Sequence, residues 1–173
     1  MMMNLSKRLW RIAALIACAI GLTAYGVHQS VAGVELARPF AYTLLNGTQA
    51  NTGELTGRVV LVNFWAPSCT ACLQEMPDLV ATHARFKARG YETLAVAMSY
   101  DPPGLVADYA ESRKLPFQIA IDQDGSLARS FGGVSATPTS MLLNRRGEIV
   151  KRYVGRPDFT ALNSLIERLL VEP

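Results

Sequence analysis

The chain has 173 residues, half of them hydrophobic and 18% charged, enough for one ordinary domain plus a short extra segment. Lys7, Arg8 and Arg11 account for the whole formal charge of +3; the rest is balanced and offers no basic face for nucleic acid. Three cysteines are too few for a small secreted scaffold stapled by disulfides, and the chain shows no repeat or low-complexity tract.

Residues Leu9 to Val27 are mostly apolar, with Arg11 the one charge. The uninterrupted part, Ile12 to Val27, falls slightly short of the ~20 residues a spanning helix needs. Arg11 can snorkel to the interface, so Leu9 and Trp10 extend the span. Trp10 and Tyr25 sit near its two ends, where aromatic belts form, and all the early positive charge precedes it. The expectation is a cytoplasmic tail at 1–8, a transmembrane signal anchor at 9–27 and a linker at 28–38. Two alternatives stand beside the anchor. Ser30-Val31-Ala32 suits a cleaved signal peptide. Leu15-Ile16-Ala17-Cys18 resembles a lipobox, although its apolar lead is brief and continues past Cys18. In each case the main domain, 39–173, lies outside the cytoplasm, in a bacterium on the periplasmic or outer face of the inner membrane.

The first strand pattern is Arg38 to Leu45, stopped by the turn signal Asn46-Gly47. Val59 to Trp65 is a near-continuous apolar run of the kind buried on both faces in a parallel sheet. Helical spacing follows from about Ala71 to Ala88, with Leu79, Val80, His83 and Phe86 on one stripe, ending near Gly90. A strand at Thr93 to Met98 comes next, then a helix from Pro102-Pro103 to about Arg113 and a short strand at Phe117 to Ile121. Met141 to Leu143 and Ile149 to Val154 form a hairpin around Asn144-Arg145-Arg146-Gly147. Asp158 caps a last amphipathic helix whose Leu162, Leu165, Ile166 and Leu169 point inward. This order predicts an α/β fold: a central mixed sheet flanked by helices on both faces.

Chemistry is concentrated between the second strand and its helix, in Trp65-Ala66-Pro67-Ser68-Cys69-Thr70-Ala71-Cys72. That placement puts Cys69 at a helix N-terminus, where unpaired backbone N–H groups and the helix dipole favour negative charge. Its thiol is expected well below the usual ~8.5, and Cys72, one turn deeper, can close a disulfide with it. Cys69 then attacks a partner's disulfide and Cys72 resolves the mixed species. The competing reading is a metal pair. Zinc wants four ligands, and only His28, in the linker, and His83, on the core stripe, are available as histidines. No cofactor and no metal are expected. Some 65 residues on, Ala136-Thr137-Pro138-Thr139-Ser140 precedes a strand. A proline there is often only a strand starter. A cis bond, at roughly 5–6% of X–Pro bonds, does not follow from the residues alone.

The stretch from Asn63 to Pro77, with Thr137-Pro138-Thr139, resembles the TlpA/ResA-like branch of the thioredoxin superfamily, a likeness covering about Pro39 to Leu170. The resemblance implies a thioredoxin-like fold, a cis Pro138, an extracytoplasmic location and reduction of partner proteins' disulfides, often in cytochrome c or oxidase maturation. It further implies a membrane thiol transporter as electron donor. Trp65, Thr137 and Pro138 become candidate substrate-binding residues. Glu75 matches a glutamate near the active site of such relatives, and helical geometry turns it to the side of Cys72. Its functional reading is control of the thiols' protons; its plain reading is a solvated first-turn acid. Asn63 stands where thioredoxins proper carry a buried acid. Pro77 suggests a kink. Ser68 departs from the pattern, replacing a frequent Trp on the exposed rim. Three other functions share these residues: a disulfide-introducing oxidant, a peroxidase and a copper-delivery module. The peroxidase would want Thr or Ser where Ala66 stands, and the copper module lacks a third ligand.

Overall fold

The computed structural model describes residues 41–172. The expected tail, anchor and linker at 1–38, with Cys18 and His28, lie outside the described residues, as do the first residues of the predicted first strand. Among the described residues no helix is long and apolar enough to cross a membrane.

A small antiparallel hairpin opens the fold, β1 (Ala41–Thr43) with β2 (Gln49–Asn51), followed by a 3-10 turn at Thr52–Leu55. The five-stranded sheet then builds from its middle outward: β3 (Val59–Trp65), β4 (Tyr91–Met98), β5 (Gln118–Asp122), β6 (Thr139–Leu143) and β7 (Ile149–Val154), in the order β5-β4-β3-β6-β7. β3, β4 and β5 are parallel, β6 runs against them, and β7, antiparallel to β6, runs with them again. Parallel neighbours need a crossover, and these are α1 (Thr70–Phe86) between β3 and β4 and α2 (Pro103–Ser112) between β4 and β5. A five-residue α3 (Ser126–Ser130) lies before β6, and α4 (Phe159–Val171) closes the chain.

β3 explains its own apolar run: every residue is buried, because both faces of the central strand are covered. Strand alternation divides the core. Val59, Leu61 and Trp65 face α1, α2 and α4, meeting Cys72, Met76, Leu79, Val106, Leu162 and Ile166. Val60, Val62 and Phe64 face the other way, toward Tyr42, Leu55, Leu127 and Phe131. Helices cover both faces as expected, but unequally: three long ones on the first, and only α3, the 3-10 turn and the hairpin on the second. α3 and β2 were not predicted, since five and three residues are too few for a periodic pattern.

The predicted helix at 71–88 is α1 continued by a 3-10 turn at Lys87–Arg89, and Gly90 stops it at φ 92°, a left-handed conformation that glycine adopts without strain. The strand predicted from Thr93 begins two residues earlier, at Tyr91, which is buried beside Val59. Asp158 caps α4 as expected, accepting from the backbone N–H of Thr160 and Ala161. The sheet's two edges differ. Beside β5, the chain leaving β1 bridges Leu44 to Ala120, and Leu45 N–H donates to Ile119. β7 is the outer strand on the other side, with Lys151 and Arg152 exposed and a register irregularity at Leu142/Leu143.

Candidate active site

The carboxyl end of β3 runs into a tight turn in which Cys69 N–H donates to the Ala66 carbonyl at 3.1 Å, with Pro67 at the turn's second position. Cys69 is extended (φ −90°, ψ 103°) and caps α1, its Sγ accepting from Cys72 N–H at 3.2 Å. The two sulfurs form a disulfide spanning 5.2 Å between Cα atoms. Their surroundings are unequal: Cys69 is half-buried, and Cys72 is wholly enclosed in the core beneath it. A thiol at position 69 meets both solvent and the positive end of α1, whereas position 72 meets only protein.

Sheet pairing brings in the second predicted piece. Phe64 lies opposite Thr139 and Asn63 opposite Ser140, so the residues just before β6 meet the end of β3 that leads into Cys69. The Thr137–Pro138 bond there is cis. Pro138 is buried and its carbonyl accepts from Gly155 N–H at 2.8 Å; Thr139 Oγ1 donates to the Ala136 carbonyl at 2.7 Å. Thr137, half-buried, shares a 2.9 Å hydrogen bond with the hydroxyl of Tyr100.

Glu75 is not the solvated acid of its plain reading. It is fully buried on the Cys72 side of α1, its Oε1 accepting from Asn63 Nδ2 at 2.7 Å. Asn63 Nδ2 donates also to Ser140 Oγ at 2.9 Å, and Glu75 Oε2 has no hydrogen bond among the described residues. Burial pushes the Glu75 carboxyl up to about 7; the Asn63 hydrogen bond and the Arg156 charge oppose that rise, and Asp78 adds to it. Asn63, on the central strand, is thus the hydrogen-bond donor to the acid that α1 supplies.

Trp65 belongs to the core. It is fully buried, in one cluster with Cys72, its ring 5.4 Å from that of Tyr109, and it presents no surface to a partner. His83 is also buried, edge-on to Phe117 at 5.6 Å, with Nδ1 3.7 Å from Glu92. Burial lowers its pKa, Glu92 opposing and Lys87 adding to the effect. Pro77 lies inside α1. Among the described residues no three His, Cys, Asp or Glu side chains gather where they could hold a metal ion.

Two residues at this site escaped the sequence reading. Asp101, only 8% exposed, accepts the backbone N–H of Ser68 at 2.8 Å, and Tyr100, 58% exposed, stands over the cis-proline loop. The available signal was position: both follow β4 at the carboxyl ends of parallel strands, where open α/β sheets place their sites.

The redoxin family profile matches residues 32–166. The thiol-disulfide oxidoreductase ResA of Halalkalibacterium halodurans is 33% identical over 160 residues, covering 88% of this chain and 90% of that protein. ResA of Bacillus subtilis is 28% identical over 148 residues, 83% and 82% of the two chains. Among solved structures, a candidate thioredoxin from Neisseria meningitidis superposes with a TM-score of 0.73 at 37% identity, over 78% of this chain and 90% of that one. A candidate thiol:disulfide interchange protein DsbE from Chlorobium tepidum gives 0.72 at 31% identity, over 79% and 96%. The fold is thioredoxin-like.

Proposed function

The chain belongs to the redoxin family, in its TlpA/ResA-like branch, and is a thiol-disulfide oxidoreductase; from that premise we propose that it reduces disulfides of partner proteins outside the cytoplasm. One observation carries the reading: two bonded cysteines at a helix start, one half-exposed and one enclosed. In the reduced protein the Cys69 thiolate attacks one sulfur of the partner's disulfide, forming a mixed disulfide and expelling the partner's other sulfur as a thiolate. The Cys72 thiolate then attacks Cys69 Sγ, re-forming the internal bond and releasing the partner's second thiolate. Two electrons pass to the partner, and two protons complete its thiols.

The roles divide along the exposure. Cys69 meets the partner. Thr137, half-buried, flanks it as the backbone against which the partner lies, buried Pro138 fixes that backbone in place, and Trp65 supports the pair from beneath. Glu75 takes the proton that buried Cys72 must lose before it can attack; a carboxyl with a pKa of about 7 and a free Oε2 suits that exchange near neutrality.

Residues 9–27 tether the domain to the inner membrane, with 1–8 in the cytoplasm, 28–38 as linker and 39–173 outside. A membrane thiol transporter supplies the electrons. The partners are proteins of cytochrome c or oxidase maturation, as the family resemblance implies. The reducing direction is favoured by the uncharged Thr70-Ala71 between the cysteines; a reduction potential near that of the strongest oxidants, about −120 mV, would overturn it. The decisive experiment uses the full-length protein. Cys69→Ala abolishes disulfide exchange, and Cys72→Ala accumulates mixed disulfides with extracytoplasmic proteins. Recovery of no covalent complexes from the second variant would sink the assigned roles.

A further inference from the structure

Asp101 is an enclosed carboxylate whose one described contact is with backbone. Its Oδ2 accepts from Ser68 N–H at 2.8 Å, and Ser68 is the residue before Cys69. Bond lengths put that oxygen no more than about 8 Å from the Cys69 Cα. Among the described residues no Lys, Arg or His forms an ion pair with it. Asp101 follows β4 and Ser68 follows β3, so the bond ties two neighbouring strand ends together at the turn that delivers the cysteine.

We propose that Asp101 is a positioning residue with two effects on Cys69: its hydrogen bond holds the turn that presents the sulfur, and its charge makes the disulfide harder to reduce. The second effect follows from Coulomb's law in a partly desolvated setting. The N-terminus of α1 attracts a thiolate at Cys69, and the Asp101 carboxylate repels it. The disulfide is uncharged and does not feel that repulsion. Reduced protein is therefore disfavoured relative to oxidised, which makes the dithiol a stronger electron donor. Other ionisable groups in this part of the fold are Glu75, behind Cys72 on α1, with Arg156 and Asp78 acting on it, the Tyr100 phenol beside Thr137, and Tyr109 against Trp65. Of these side chains and Asp101, only Asp101 bonds to the Ser68 N–H, so its charge can be removed separately.

This inference rests on reading Cys69 as the attacking sulfur, which disulfide reduction by the unmodified protein tests by itself. The specific test is Asp101→Asn in the full chain. The amide oxygen still accepts the Ser68 N–H while the charge is gone. The protein is equilibrated with glutathione, two glutathione thiols giving two electrons and two protons to the Cys69–Cys72 bond and leaving as one glutathione disulfide. The variant should shift that equilibrium about tenfold toward the dithiol, equivalent to about 30 mV. The Cys69 thiol, followed by thiolate absorbance, should titrate at lower pH. Asp101→Ser, a second uncharged variant with an acceptor oxygen, must move both readouts the same way, and Asp101→Glu must leave the potential near that of the unmodified protein. An unchanged potential in folded Asp101→Asn or Asp101→Ser overturns the charge effect and leaves only a structural clip.

Discussion

A buried carboxyl with one oxygen bonded to an amide and the other unbonded holds its proton longer than it would in water. Glu75 is that case, and His83 is the reverse: an enclosed imidazole that resists protonation. The consequences for stability have opposite signs. Glu75 has its folded pKa raised, so between about 4.5 and 7 the native state binds more protons than the unfolded one, and stability falls as pH rises through that window. Full ionisation costs about 3 kcal/mol if the unfolded value is ordinary. His83 has its folded pKa lowered, so its contribution is present above about 6.5 and fades as pH falls below it. The two slopes oppose each other where the windows overlap, below about pH 6.5, so urea denaturation of the oxidised protein from pH 4.5 to 8 separates them through single variants. Glu75→Gln should remove the loss on the alkaline side, and His83→Phe, which keeps the ring contacts, the loss on the acid side. Profiles identical to the unmodified protein would refute these assignments. At this scale the cysteines and the core place of His83 were legible from residue type and spacing, whereas the cis Pro138 was legible only through the family resemblance. The Asn63–Glu75 pair was not, because a strand residue and a helix residue 12 apart meet only once the sheet is built.

Each element owes its ends to a few local interactions. α4 begins where Asp158 accepts two backbone N–H groups, and Leu162, Ile166 and Leu169 then fall on the buried side. Asp158→Ala should cost about 1 kcal/mol, read as a lower urea midpoint with an unchanged slope. α1 is fixed differently: its cap is the Cys69 sulfur itself, so the start of the helix and the reactive atom coincide. Long elements with a full period were readable in the chain, including β3, α1 and α4. The loop after β4 was not, since Tyr-Asp-Pro-Pro announces a turn without saying what the turn will touch. Its partners, Ser68 and Thr137, arrive from two other strand ends.

The molecule as a whole is organised about β3, which carries the reactive turn at one end and separates the two halves of the core. Leu61 is enclosed on that strand, between β4 and β6. Leu61→Ala should therefore destabilise by about 2–5 kcal/mol in urea denaturation, with reactivity lost only as the fold is lost. A small change there would mean that the central strand is less critical than its burial implies. The α/β order and the mixed sheet followed from strand–helix alternation. Which face would receive the three long helices did not, because strands buried on both sides carry no mark of inside and outside.

The treatment of the sheet's borders matters for a protein that must be touched by others. On one border β5 is already met by the chain leaving β1, through Leu44 and Leu45; on the other stand Lys151 and Arg152 beside a break in register. Among the described residues, the five-stranded sheet offers a second copy no flat, uncharged ribbon to extend. Charge and irregularity on β7 thus work against edge-to-edge pairing between copies, and contact with other proteins is left to the half-buried sulfur at the far end of β3.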